Sequence, residues 1–192
     1  MAEDPGWVAA LGGFWRTLFS PSVAMRTKRG KATPVLVTMR TMMISSIVSW
    51  LILLNVILYV HPRGGSNLTL VVVIVAAYAA INLVLIGRLQ ARPHRGSDAV
   101  RIASECRARF ILSWALANGA LLAAFAGVFI AGKVWVFAIG MPFGALGLVI
   151  ISPSRARIEH DQNRLRAVHS KIDLLDALML PNSEVPQRIK KR

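Results

Sequence analysis

The fold is decided by residues 110–151, which read FILSWALANGALLAAFAGVFIAGKVWVFAIGMPFGALGLVII. Lys133 is the only charged residue there, and it separates the apolar runs Phe110–Gly132 and Val134–Ser154. Each run is long enough to cross a hydrocarbon core, which takes roughly 20 helical residues. The Gly132-Lys133 connection is so short that it predicts a tight antiparallel pair of helices.

Two further uncharged runs precede this pair, Thr41–Val60 and Leu68–Gly87, and a turn rich in Pro and Gly joins them. A lone strand in lipid would leave its backbone groups unpaired, so helices are expected. The sequence therefore predicts an all-α integral membrane protein with four transmembrane helices. They form two antiparallel hairpins, residues 41–87 and residues 110–152.

Composition and charge support a membrane location. The chain has 192 residues, of which 55% are hydrophobic and 17% charged, against about 25% charged residues in soluble proteins. Of its 23 Lys and Arg residues, all but Arg63 and Lys133 lie before the first run, between the hairpins or after the last run. The positive-inside rule then predicts a multi-pass protein of the inner (plasma) membrane with both termini in the cytoplasm. The same basic segments suit anionic lipid headgroups, and no nucleic-acid-binding motif accompanies them.

The segments outside the runs are basic or amphipathic. Residues 1–40 are predicted to be an amphipathic interfacial segment followed by a basic linker, and residues 88–109 a basic cytoplasmic loop. The acidic residues Glu3 and Asp4 argue against a secretory signal. The apolar side chains of the first segment recur at helical spacing: Trp7, Leu11, Phe14, Trp15, Leu18 and Phe19.

The C-terminal segment is expected to form an amphipathic helix with a heptad pattern over residues 153–181, with a basic tail at 182–192. Its apolar seam is the predicted contact with a partner and consists of Ile158, Leu165, Val168, Ile172 and Leu175. A coiled coil and a helix lying on the membrane or the bundle both remain open from this pattern.

The uncharged runs lack ionisable residues, which a proton- or ion-coupled transporter usually keeps at membrane depth. For the same reason the chain does not fit the proteolipid rings of rotary ATPases. No catalytic motif, metal-ligand spacing or cofactor-binding motif occurs, and Cys106 is the only cysteine. The sequence thus predicts a protein that is not an enzyme and needs no cofactor or metal.

Amide and hydroxyl side chains are the polar groups of the runs. One group lies toward the predicted cytoplasmic half: Ser45, Ser49, Asn82, Ser113 and Asn118. Two interpretations remain open for this group. It can form hydrogen bonds between helices, or it can line a polar site for a lipid headgroup or a quinone ring.

Small residues recur along the last two runs, at Ala115, Gly119, Ala123 and Gly127 and again at Gly140 and Gly144. Small side chains let helix backbones approach closely in lipid. We expect these residues to pack helices within one chain or between subunits, with Pro142 kinking the last helix.

The overall layout resembles small bacterial membrane proteins with two hairpins and a Pro-x-Arg exit from the last span, here Pro153-Ser154-Arg155. That resemblance covers roughly residues 40–165 and implies no activity. From the residues we predict a non-catalytic accessory or scaffolding subunit of a larger inner-membrane complex, such as a respiratory or transport assembly. It would contact other membrane subunits or further copies of itself. The alternative is a small membrane protein that binds lipid or quinone.

Overall fold

The computed structural model of the chain describes residues 4–19, 34–65, 67–93, 98–167 and 173–180. Within these ranges every regular element is an α-helix, which confirms the predicted helical class. The helices are α1 (Gly6–Phe19), α2 (Val35–Val60), α3 (Leu68–Ala91), α4 (Ala99–Ala131), α5 (Trp135–Ile151), α6 (Arg155–Ala167) and α7 (Leu174–Leu178).

Three helices, α2, α3 and α4, are individually long and apolar enough to cross a membrane. Helix α5 has 17 residues, which span about 25 Å at the helical rise of 1.5 Å per residue. It is long enough to count as a membrane span only together with α6, from which it is bent by 53°. The described residues therefore contain three candidate spans, or four if α5 and α6 count as one.

Helix boundaries follow local capping more closely than they follow hydrophobicity. Helix α3 begins at the predicted residue because the Asn67 side chain accepts a hydrogen bond from the Leu70 amide. Helix α4 begins well before its uncharged run, where the Asp98 carboxylate accepts from the Arg101 amide at 2.8 Å. Charged residues can continue a helix beyond the hydrocarbon core, so α2 and α4 are longer than their apolar runs.

The chain divides into two compact units. The first contains residues 1–45, 93–110 and 152–192, and the second contains residues 46–92 and 111–151. In the second unit α3 packs against α5. The backbones of α4 and α5 also approach closely, since a Cβ atom on Gly140 would lie 2.5 Å from Cβ of Ala124 and one on Gly147 would lie 2.9 Å from Cβ of Ala117.

The two short turns of the second unit touch through their backbones. A Cβ atom on Gly64 would lie 2.6 Å from the backbone nitrogen of Gly132, and one on Gly132 would overlap Gly64. Gly132 also has a φ of +66°, in the left-handed region that other residues rarely adopt. Gly132 is therefore required both by its backbone conformation and by the close approach of the turns.

The C-terminal segment contains two short helices where the sequence suggested one. Helix α6 ends at Ala167, and α7 packs against it, with the Leu174 amide donating to Oε1 of Gln162 at 2.6 Å. Another hydrogen bond joins the Val35 amide to the carbonyl oxygen of Leu180. The segment is thus attached to the beginning of α2 within the first unit.

The predicted apolar seam is only partly available to a partner. Leu165 is buried within the chain, and Ile158 and Leu175 are half-buried. Val168 and Ile172 lie outside the described residues. Contact of the seam with another protein stays a prediction.

Candidate functional site

The most unusual side chain of the first unit is Arg40, in the second turn of α2. Its side chain is only 1% exposed, although the sequence places it among the basic residues that flank the first span. A guanidinium group removed from water must find a counter-charge and hydrogen-bond acceptors, because burying it unpaired costs many kcal/mol.

Asp4 supplies the counter-charge. Nη1 of Arg40 donates to Oδ1 of Asp4 at 2.6 Å, and Nη2 donates to Oδ2 at 2.9 Å, so the pair is bidentate. These hydrogen bonds from Arg40 lower the pKa of the Asp4 carboxyl below its ordinary value, against the opposing effect of burial. Asp4 is therefore ionised at neutral pH.

Pro153 supplies the remaining acceptor. Its carbonyl oxygen accepts from Nε of Arg40 at 3.3 Å and from Nη2 at 3.1 Å. Pro153 is buried and lies two residues after the end of α5, where the helix dipole adds partial negative charge. Arg40 thus joins the segment before α1, the beginning of α2 and the segment after α5.

Helix α1 packs on Arg40 and on the next residue of α2, Thr41. The ring centroid of Trp7 lies 5.3 Å from Cζ of Arg40, within the range of a cation–π contact. The Thr41 hydroxyl lies 3.3 Å from the carbonyl oxygen of Ala10, and Ala10 and Phe14 are buried. We call Asp4, Trp7, Arg40 and Pro153 the Arg40 cluster.

The other face of α1 is apolar and exposed. Trp7, Val8, Leu11 and Trp15 are 38%, 80%, 44% and 54% exposed. Phe14, which the sequence grouped with these residues, points to the buried side. The side chains of Leu18 and Phe19 lie outside the described residues.

A polar network joins α2 and α4 in the second unit. Oδ1 of Asn118 accepts from Nε1 of Trp50 at 2.9 Å, and Nδ2 of Asn118 lies 3.3 Å from Oγ of Ser46. Nε1 of Trp114 donates to the same Ser46 oxygen at 2.6 Å. The two tryptophans were not among the sequence candidates; Ser45 and Ser49 were, and Ser46 lies between them.

The remaining polar candidates have separate partners. Nδ2 of Asn82 donates to the Leu116 carbonyl oxygen at 3.2 Å, and Oγ of Ser113 accepts from Nε2 of Gln90 at 3.1 Å. Ser45 donates to the carbonyl oxygen of Met42 in its own helix, and Ser49 is exposed. Asn82 and Ser113 thus bond between helices, whereas Ser45 bonds within one helix.

The small-residue candidates of α4 do not share one face. Gly127 is buried, and a Cβ atom there would lie 3.0 Å from the Val75 side chain, whereas Ala115 is exposed and Ala123 half-buried. A repeat of every fourth residue drifts by about 40° per step around a helix, so the series rotates from one surface to another. A Cβ atom on Gly119 would lie 3.3 Å from the hydroxyl oxygen of Tyr78 in α3.

Both α5 candidates are buried. A Cβ atom on Gly140 would be crowded by α4, and one on Gly144 would lie 3.1 Å from the Trp50 ring. The buried alanines opposite them, Ala117, Ala120 and Ala124, were missed by the sequence analysis. Their spacing of three and four residues is the signal that indicates a single helix face.

Comparisons with protein-family models, curated proteins and solved structures find no match to this chain. The Arg40 cluster is therefore interpreted from its chemistry. Its guanidinium donates from Nε, Nη1 and Nη2 to groups of the same chain. Such an arrangement is suited to holding distant segments together.

Proposed function

We propose that this protein is a non-catalytic accessory or scaffolding subunit of a larger inner-membrane complex. The supporting observation is the Arg40 cluster, in which a buried arginine and its partly exposed carboxylate partner join three segments of the first unit. Buried ion pairs add little net stability compared with apolar packing, but in some proteins they specify one arrangement. A surface with one fixed arrangement is what a partner subunit requires.

We further propose that α2, α3, α4 and α5 all span the membrane as two antiparallel hairpins, with both termini in the cytoplasm. The distribution of basic residues supports this orientation. Helix α5 is somewhat shorter than the roughly 30 Å core, a mismatch that local thinning of the bilayer can accommodate. Helix α6 contains four arginines and belongs outside the hydrocarbon.

The polar contacts of the second unit favour a packing role over a ligand site. Asn82, Ser113 and Asn118 each bond to another helix of the chain, and such bonds contribute about 0.6 kcal/mol each in membrane proteins. Binding of lipid or quinone at Ser45, Ser49 and these three residues is the alternative proposal. It would require the ligand to compete with these contacts.

Purification in a mild detergent tests the subunit proposal. The wild-type protein should migrate on a native gel as a heteromeric assembly with a reproducible second polypeptide. Arg40→Met should still insert but should leave the assembly, whereas Arg63→Met, the same change at an exposed turn residue, should remain in it.

A second variant tests the role of the C-terminal segment. Truncation after Pro153 removes α6 and α7 and turns the carbonyl that Arg40 contacts into a terminal carboxylate, which can still accept from the guanidinium, so we expect the spans to insert and the assembly to be lost. A wild-type protein that migrates alone would contradict the subunit proposal. Stoichiometric lipid or quinone in that sample would instead support the alternative.

A further inference from the structure

The exposed face of α1 is continuous and uncharged. At about 100° per residue, Trp7, Val8, Leu11 and Trp15 fall within an arc of about 100° around the helix. The buried residues Ala10 and Phe14 lie beside this arc, within about 60° of Trp7, so the packed side of α1 adjoins the exposed face. The four residues of the face itself are left uncovered by the first unit.

The position of α1 along α2 indicates what lies opposite this face. The uncharged segment Thr41–Val60 has 20 residues, or about 30 Å of helix, which equals the thickness of a hydrocarbon core. Arg40 then lies at the edge of the hydrocarbon. Because Asp4 bonds to Arg40 and Ala10 approaches Thr41, α1 lies at the level of the lipid headgroups.

The contacts of α1 also indicate its direction. A helix running alongside α2 would meet residues spread over several turns. Instead, positions along the N-terminal segment meet two adjacent residues of α2: Asp4 and Trp7 meet Arg40, and Ala10 and Gly13 meet Thr41. We infer from these contacts that α1 crosses α2, which inclines α1 toward the plane of the membrane.

The composition of α1 suits this position. Tryptophan is enriched at membrane interfaces because its ring is apolar and its N–H group can meet water or headgroups. After Trp15 the sequence becomes basic, with Arg16, Arg26, Lys28, Arg29 and Lys31. Each base close to an anionic leaflet contributes about 1 kcal/mol of attraction.

We propose that the exposed face of α1 is a membrane-docking surface whose occupant is anionic phospholipid of the cytoplasmic leaflet. Trp7, Leu11 and Trp15 enter the boundary between headgroups and acyl chains, and the Arg40 cluster holds the helix there. The inference rests on the proposed spanning arrangement of the helices, which the experiment checks separately at α3.

The test places a nitroxide spin label at single cysteines in a Cys106→Ala background. Leu11→Cys lies within the proposed docking face. The matched control, Ala9→Cys, is an exposed position of the same helix about 160° away from Leu11. Ile81→Cys reports on the lipid-facing side of α3, where Ile81 is 57% exposed.

The protein is reconstituted into vesicles of phosphatidylcholine and phosphatidylglycerol, and collisions of each label with oxygen and with a water-soluble nickel chelate are compared. We expect the oxygen-to-nickel ratio to be several-fold higher at Leu11 than at Ala9, and highest at Ile81. In phosphatidylcholine alone the ratio at Leu11 should fall.

Each other result has a defined meaning. A Leu11 label as open to nickel as the Ala9 label would place the face in water, and a label shielded from both reagents would place it against protein; either overturns the proposal. An unchanged ratio in phosphatidylcholine alone overturns the role of anionic lipid. Loss of the high ratio at Ile81 would instead contradict the spanning arrangement itself.

Discussion

Replacing Asp4 by asparagine removes the counter-charge of Arg40 with the smallest change in shape. The asparagine Oδ1 can still accept the hydrogen bond that the Gly6 amide donates to Asp4 at 3.0 Å. What disappears is the charge at the end of the two short bonds from Arg40. The guanidinium then stays buried with only neutral acceptors, the Pro153 carbonyl and the asparagine Oδ1, and α1 loses its strongest attachment.

The expected cost follows from the burial of the two partners. Hydrogen bonds to charged groups contribute about 1.5–3 kcal/mol each, and breaking one side of a buried pair costs about 3–5 kcal/mol. The Asp4 side chain is 22% exposed, so water replaces part of the lost interaction and the lower figure applies. A loss of about 3 kcal/mol raises the undocked fraction of α1 roughly 150-fold.

The assay measures docking through a thiol at Ala10, which is fully buried on the packed side of α1. In an Ala10→Cys, Cys106→Ala background, a water-soluble maleimide should alkylate the protein in proportion to the undocked fraction. Asp4→Asn should accelerate alkylation by about two orders of magnitude, following the same estimate. Arg40→Met combined with Asp4→Asn should slow it again, because an apolar side chain does not suffer from the missing charge.

Asp98→Asn is the matched control for this substitution. Asp98 caps α4 through the Arg101 amide, and Asn is about as effective as Asp at the N-terminus of a helix. Its alkylation rate should equal that of the parent protein. If Asp4→Asn also equals the parent, the ion pair does not hold α1 and the interpretation of the Arg40 cluster fails.

Three further predictions concern pH, the turns and the single cysteine. Because the bonds from Arg40 lower the pKa of Asp4 below 3.8, the difference in thermal unfolding midpoint between wild type and Asp4→Asn should be constant between about pH 8 and pH 5. It should be lost as the pH falls through the lowered pKa. Gly132→Ala should destabilise the protein by more than about 1–2 kcal/mol in a denaturant titration, since a left-handed conformation and a backbone overlap combine there, whereas Gly65→Ala, with open space around it, should be nearly neutral. In intact cells an impermeant thiol reagent should label Gly65→Cys from outside, whereas Cys106, which precedes the uncharged part of α4, should stay unlabelled. In open membranes at neutral pH, Cys106 should still react slowly, because burial raises the pKa of its thiol to about 12. Labelling of Cys106 alone from outside would reverse the proposed topology.

The helices could be predicted from the sequence because length and the absence of charge are local properties. Thr41–Val60 and Leu68–Gly87 both lie within observed helices, and the Asn67 cap fixes one boundary at the predicted residue. The extension of α2 back to Val35 could not be predicted in this way. An arginine that borders an apolar run gives the same sequence pattern whether its side chain meets water or a carboxylate.

The Arg40 cluster depends on contacts between residues that are far apart in the chain. Asp4 precedes Arg40 by 36 positions and Pro153 follows it by 113, and no spacing rule joins such residues. In the sequence alone, Asp4 argues only against a secretory signal. For a related reason the sequence does not show which of the nearby serines Ser45, Ser46 and Ser49 faces α4, because that depends on the rotation of α2, which composition does not define.

The same long separations impose an order on biosynthesis. Asp4 leaves the ribosome before Arg40, so the carboxylate is already present when the arginine appears. Pro153 follows 113 residues later, which at about 5–20 residues per second is an interval of roughly 6–23 seconds. During that time Asp4 is the only acceptor of the cluster that is available to Arg40, and the Pro153 contact forms after α5 has been made. The complete Arg40 cluster can therefore form only after the chain has been synthesised from Asp4 through Pro153.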